Sequence, residues 1–208
     1  MNRKYKHITP RYIVNRLYGR FWELNNTGYP WLNRHACRFL DNWLDGRGVG
    51  LEWGSGRSTN YFSKVLQKIT SVEHDPVWYE LVRKQLKASN SGCELLLKDP
   101  NDTSDYVDDV CNRFEDGSLD FVMIDGVLRD QCALAILPKL KTGGLLIIDD
   151  SHRYIPSKSV SPYAVKPNDN PESPVWGEFL QKVTEWKSVQ FSDGVHDSRF
   201  YFVGSMIK

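Results

Sequence analysis

No stretch of this 208-residue chain approaches the roughly 18 consecutive apolar residues that a membrane span requires, so no transmembrane helix is expected. Cysteine is scarce and scattered. Cys37, Cys93, Cys111 and Cys132 contain no Cys-x-x-Cys spacing, which argues against a zinc cluster or a redox pair and leaves reduced core thiols as the plain reading. Excess charge of one sign is also missing: the net charge is +1, too little for a broad nucleic-acid surface, although local basic grooves stay open. Met1–His7 is charged with no apolar run behind it, so no signal peptide is read and a soluble cytoplasmic protein is expected. There is no internal repeat, no Gly-x-Ser-x-Gly elbow and no matching catalytic triad.

What is present suffices for one substantial core, with 40% apolar and 12% aromatic residues. Length favours a single domain over 1–208, divided into a helical cap over 1–45 and an α/β core over 46–208. Pro10 marks a helix start ahead of Arg11–Tyr18, and Trp31, Leu32, Ala36, Phe39, Leu40, Trp43 and Leu44 keep a helical period. Beyond Gly48, strands near Val49–Trp53, Ile69–Glu73, Glu94–Lys98, Leu119–Asp125 and Leu145–Asp149 alternate with helical patterns. Such alternation implies a parallel sheet covered on both faces.

Helix signals punctuate the alternation. Asp75-Pro76 precedes Trp78, Leu81, Val82 and Leu86, and Asp102-Thr103-Ser104 precedes Tyr106, Val107, Val110 and Phe114; both helices should pack on the sheet. A third runs from Arg129 to Leu140, loosened by Pro138 and stopped by Gly143-Gly144. Residues 154–174 carry five prolines among serines and asparagines, a long loop that is either a substrate-covering lid or a disordered excursion. Ser188–Phe191 and Arg199–Val203 flank Asp193-Gly194 as a hairpin. The expected fold is therefore a doubly wound seven-stranded sheet, Rossmann-like, with a terminal antiparallel hairpin and ligands at the carboxyl ends of the parallel strands.

The chemistry concentrates in Glu52-Trp53-Gly54-Ser55-Gly56-Arg57-Ser58-Thr59, followed about twenty residues on by Glu73-His74-Asp75. A strand runs into glycines and a helix start whose free N–H groups face a ligand, and a second strand ends on an acid placed to accept ribose hydroxyls. Gly54 and Gly56 permit the tight turn and close approach.

On these motifs the chain resembles class I S-adenosylmethionine-dependent methyltransferases, from about Leu51 to Val203, and within them the small-molecule O-methyltransferases. The resemblance implies S-adenosyl-L-methionine as cofactor, with Gly54, Ser55 and Gly56 against its methionine part. Glu52 would lie near the charged amino-acid end, Glu73 on the ribose, Asp99 on the adenine amino group and His74 against adenine or in solvent. The family's third glycine is replaced by Ser58, followed by Thr59, whose hydroxyls either contact a carboxylate or cap the helix. Asp125 and Asp149-Asp150 end strands four and five. In related enzymes carboxylates there hold Mg²⁺; alternatively Asp125 faces the cofactor's amino group and Asp149-Asp150 caps a turn. His152 is read either as a general base or as structural.

A small-molecule acceptor methylated on oxygen, with no nucleic-acid or membrane partner and with homo-oligomerisation open, is the resulting expectation. No Asn/Asp-Pro-Pro-Tyr/Phe segment for a flipped base follows strand four. Two other functions compete: an inactive cofactor-binding scaffold, and an NAD-dependent oxidoreductase, which the Ser58 substitution disfavours. Glu73→Ala is expected to weaken cofactor binding by about 1.5–3 kcal/mol with the fold intact.

Overall fold

The apolar runs of the middle of the chain assemble into one sheet in a computed structural model that describes residues 9–46, 48–88 and 92–206. The Met1–His7 segment read above lies outside the described residues. The strands are β1 (Val49–Trp53), β2 (Lys68–Glu73), β3 (Cys93–Leu97), β4 (Leu119–Ile124), β5 (Leu140–Ile148), β6 (Trp186–Ser192) and β7 (Asp197–Met206). Their order is β3-β2-β1-β4-β5-β7-β6. β1 to β5 run parallel, and β7 is antiparallel to both β5 and β6. The order reverses between β1 and β4, so the carboxyl ends of these two strands open a crevice at the switch point.

Helices α1 (Pro10–Asn25), α2 (Arg34–Trp43), α3 (Arg57–Val65), α4 (Pro76–Ala88), α5 (Asp109–Cys111), α6 (Arg129–Ala135) and α7 (Pro174–Lys182) surround the sheet. The two-residue period of the strands divides the core. Leu51, Trp53, Val122, Ile124, Leu146 and Ile148 pack with Tyr106, Trp176 and Phe179 on one face. Phe121, Met123, Leu145 and Ile147 pack with Leu40, Tyr61 and Phe62 on the other. Each such side chain, fully buried, stabilises the fold by about 1.5–3 kcal/mol. Glu52 shares β1 with Leu51 and Trp53 but faces oppositely, toward α3.

Three elements differ from the sequence reading. The expected helix after Asp102 is a single wide turn, Ser104–Asp108, followed by the three-residue α5. β5 begins at Leu140 rather than Leu145, because Gly143 takes φ +86 and the strand bulges past the glycines instead of stopping there. Trp176, Phe179, Leu180, Val183 and Trp186 keep a helical period in the sequence, yet α7 stops at Lys182 and Trp186 opens β6. The 154–174 segment is neither helix nor strand from Ile155 to Ser173, yet it is tied down. Val165 N donates to His152 O at 2.8 Å, Ser157 N to Val165 O at 3.0 Å and Glu172 N to Tyr154 O at 2.9 Å.

Candidate active site

Gly54 turns at φ +98, which aims its backbone at the end of β4. A Cβ there would lie 2.9 Å from Asp125 C and Gly126 N, so the two strand ends meet backbone to backbone only because Gly54 has no side chain. Gly126 is equally constrained, its missing Cβ falling 2.5 Å from the buried Tyr106 hydroxyl. Gly56 caps α3, where its N–H donates to Thr59 Oγ1 at 2.9 Å.

These turns floor a crevice of about 470 Å³. Of the residues given a cofactor role in the sequence, its wall holds Gly54, Ser55, Gly56, Ser58, Glu73, His74 and Asp125. Glu73 is 3% exposed. Its Oε2 accepts from Ser55 N (3.2 Å) and Ser55 Oγ (2.7 Å), and its Oε1 from His74 N (2.8 Å) and Asp75 N (2.9 Å). One carboxylate thus ties the β1 turn to the β2 turn. His74 Nδ1 lies 3.2 Å from Glu73 Oε1, beside this clamp.

Glu52 sits outside the wall, fully buried under the first turn of α3. Its Oε2 accepts from Thr59 Oγ1 at 2.6 Å and Ser71 Oγ at 2.8 Å, while Oε1 has no partner. Burial pushes this carboxyl up to about 7, against the opposing pull of neighbouring hydroxyls and with some help from the Glu73 charge. The Thr59 hydroxyl is thus taken up within the protein, capping α3 through Gly56 N and donating to Glu52, and Thr59 does not line the crevice.

Asp99 stands apart. It is exposed, its Oδ1 accepts from Asn101 N and Nδ2 at 2.9 Å each, and it does not line the crevice. The sequence placed it at a strand end but could not show that its turn closes on Asn101.

Two crevice residues went unread in the sequence. Trp78, assigned there to sheet packing, is 38% exposed and lies along the crevice, its indole N–H donating to Ser55 O at 2.8 Å. Arg129, seen only as a helix start, donates to Gly126 O (2.8 Å), Asp149 O (2.7 Å), Asp125 O (2.7 Å) and Asp125 Oδ1 (2.8 Å). It staples the ends of β4 and β5 together. Burial raises the Asp125 carboxyl even though this guanidinium holds it down.

The carboxylates named for Mg²⁺ do not converge. Asp125 is taken by Arg129, Asp149 Oδ1 accepts from Ser198 Oγ at 2.5 Å, and Asp150 turns to Arg153 (3.3 Å) and His196 (3.4 Å). Both lie in the turn beyond β5, where Asp150 takes φ +50 and turns its carboxylate to partners that Asp149 does not share. Among the described residues no group of three or more His, Cys, Asp or Glu side chains is arranged to hold a metal ion. The donor set does not fit Mg²⁺. Burial, then repulsion from Asp125 and Asp150, drives the Asp149 carboxyl upward.

His152 is 1% exposed, its Nδ1 unpartnered and its basicity lowered by burial, and it lines neither cavity of the site. An exposed imidazole near the site is His196, which the sequence reading passed over. It lines a second cavity of about 390 Å³ with Tyr18, Trp22, Trp31, Asn33 and Asp193. Trp31 belongs to both cavities. Arg57, the first residue of α3, fixes this arrangement by donating to the carbonyls of Asn26 (2.7 Å) and Thr27 (3.2 Å) while its guanidinium lies over Trp31 at 5.7 Å.

Residues 51–151 match a family described as a methyltransferase domain. No curated protein is similar enough in sequence to match. Among solved structures, a methyltransferase-like protein from Silicibacter pomeroyi shares 18% identity at TM-score 0.57, covering 85% of this chain and 89% of its own. A Streptococcus mutans protein in complex with SAH shares 12% at TM-score 0.54, covering 79% and 93%. A methyltransferase from Pyrococcus furiosus shares 16% at TM-score 0.51, covering 92% and 98%. At such identities the structures speak for the fold alone. The matched domain spans just under half of the chain, and with the order of motifs on this sheet it supports a methyltransferase that uses S-adenosylmethionine.

Proposed function

We propose that the enzyme methylates a hydroxyl of a small polar acceptor held in the second cavity, with S-adenosylmethionine in the crevice. The observation that carries this reading is Trp31, one side chain that walls both cavities. The crevice fits the cofactor. Its floor of Gly54, Ser55 and Gly56 leaves backbone exposed to a ligand, its volume is that of a small-molecule site, and Trp78 offers an aromatic face.

Glu73 would hold the ribose, its carboxylate being acceptor-only and therefore suited to hydroxyl donors. A ribose hydroxyl would take over the place of the Ser55 hydroxyl on Oε2. Asp125, kept in place by Arg129, would face the amino-acid end. The cofactor supplies an activated methyl on a sulfonium, so the protein's task is alignment and removal of one proton.

The second cavity presents aromatic faces from Tyr18, Trp22 and Trp31 beside a polar group in need of a partner. Asn33 is 6% exposed, its Oδ1 caps α2 by accepting from His35 N and Ala36 N, and its Nδ2 is left unpaired. A hydroxyl-bearing acceptor would satisfy that donor. His196 would take the acceptor proton on Nε2, because Asp150 at the end of β5 faces Nδ1 and stabilises the imidazolium that forms.

The test has two stages. Thermal melting should show stabilisation by S-adenosylmethionine and S-adenosylhomocysteine but not by NAD. Labelled-methyl transfer is then screened across sugars, phenols and small acids. Stabilisation by NAD alone, or binding of adenosylhomocysteine with no transfer to any hydroxyl compound, would defeat the proposal.

A further inference from the structure

α1 is amphipathic with its apolar side turned away from the protein. Ile13, Val14, Leu17, Phe21 and Leu24 recur at one-, four-, eight- and eleven-residue offsets and so share a face. They are 46%, 63%, 67%, 67% and 65% exposed, and no residue of the helix is buried.

The orientation is held by specific bonds on the opposite face. Asn15 Nδ2 donates to Asp193 O at 2.6 Å, Arg34 Nη1 donates to the Tyr18 hydroxyl at 2.6 Å with its guanidinium over that ring, and Trp22 packs on Tyr29 with centroids 5.6 Å apart. Rolling the apolar stripe inward would break all of these. The stripe therefore needs an occupant from outside.

Charge selects the occupant. Arg11, Arg16 and Arg20 are exposed on this helix; Arg16 and Arg20 flank the stripe, whereas Arg11 sits on the other side and lines the second cavity. The sequence before them adds Arg3, Lys4 and Lys6, so residues 1–22 hold six cationic side chains and no Asp or Glu. The whole chain is only +1, which leaves the remainder net acidic. A second copy of this helix would bring like charges together over a stripe about 17 Å long. At roughly one helix diameter in width, such a stripe presents a few hundred Å², against about 800 Å² per partner in a stable interface.

We infer that α1 lays its Ile13–Leu24 face on an anionic phospholipid surface, with Arg16 and Arg20 at headgroup level. Apolar insertion and attraction of cations to lipid charge act together in such a helix, and neither requires a span. This revises the expectation of no membrane partner, which was drawn from the absence of a spanning segment. The inference is independent of the methyl acceptor.

The full-length protein is floated with vesicles of phosphatidylcholine alone and of phosphatidylcholine mixed with phosphatidylserine. Binding to the anionic vesicles only, weakening with salt, is expected. Leu17→Asp with Phe21→Asp should lower that binding about a hundredfold or more. Arg16→Ala with Arg20→Ala should lower it roughly tenfold or more. Circular dichroism and melting of each variant should stay as in the wild type, since these side chains face out. Folded protein that ignores phosphatidylserine vesicles at low salt overturns the inference. So does a solution dimer that Leu17→Asp with Phe21→Asp converts to monomer, which would give the face to a second copy. Vesicle binding without any response to adenosylhomocysteine would uphold this inference and count only against the proposed reaction.

Discussion

Replacing Glu73 with glutamine tests whether the site is built before any ligand arrives. The carboxylate accepts four hydrogen bonds, three from backbone N–H groups of Ser55, His74 and Asp75 and one from the Ser55 hydroxyl. Glutamine keeps one oxygen and puts an N–H₂ group opposite either the Ser55 pair or the His74 and Asp75 amides. Donor then meets donor. Each buried donor left without an acceptor costs about 1–3 kcal/mol, so two of them, partly relaxed, cost roughly 2–4 kcal/mol. For a chain of this length that is a fall in Tm of about 4–16 °C. Glu73→Ala should do at least as much, a loss of stability added to the weakened cofactor binding expected from the sequence, with the fold still formed. Melting of the ligand-free protein measures the structural part. Calorimetric titration with adenosylhomocysteine, at a temperature where the variant is folded, measures the ribose part. A Glu73→Gln protein that melts with the wild type would refute the four-donor clamp and the pre-built site with it.

The His196–Asp150 pair should give the methyl-transfer rate a rising limb with pH. The hydrogen bond to Asp150 lifts the imidazole above its usual 6.5, with further help from Asp193 and Asp149, and burial opposes. Neutral imidazole is the base, so the limb should lie above pH 6.5 and move down in Asp150→Asn. His196→Gln should remove the limb and about 10²–10⁴ of the rate; an unchanged profile would dismiss the pair. Gly126→Ala should destabilise by about 1–3 kcal/mol in chemical unfolding, because its Cβ would fall on the Tyr106 hydroxyl, and Tyr106→Phe should return part of the loss. Lack of any such rescue would contradict the contact. Glu52, raised to about 7 in the fold against about 4.3 unfolded, contributes stability that is fully present below about pH 4.3 and is lost as pH rises through 7. Compared with Glu52→Gln, ligand-free wild type should lose on the order of 3 kcal/mol across that range, and parallel stability curves would show the carboxyl to be solvated.

The elements that position the crevice were legible from local pattern. β1 and β2 were readable because apolar runs of strand length end on Gly54 and Glu73, and α4 because Asp75 and Pro76 announce it. Asp99 and His152 show where such reading stops. Each occupies a strand-end or loop position that suits a ligand contact, yet Asp99 bends onto Asn101 and His152 is roofed by the 154–174 segment. Arg129 and His196 show the converse. Arg129 has a local pair in Asp125, four residues back, but its contact with Asp149 and that of His196 with Asp150 span 20 and 46 residues, which no local pattern marks.

Sequence alone determined the alternating α/β order, the glycine turn after β1 and the acid after β2, because each depends on a few adjacent residues and on short-range sterics. Tertiary structure decided which side chains share a cavity, that three neighbouring carboxylates diverge instead of holding a metal, and which way α1 faces. Those outcomes depend on contacts closed across the sheet, and a side chain's direction there follows from packing partners far away in the chain.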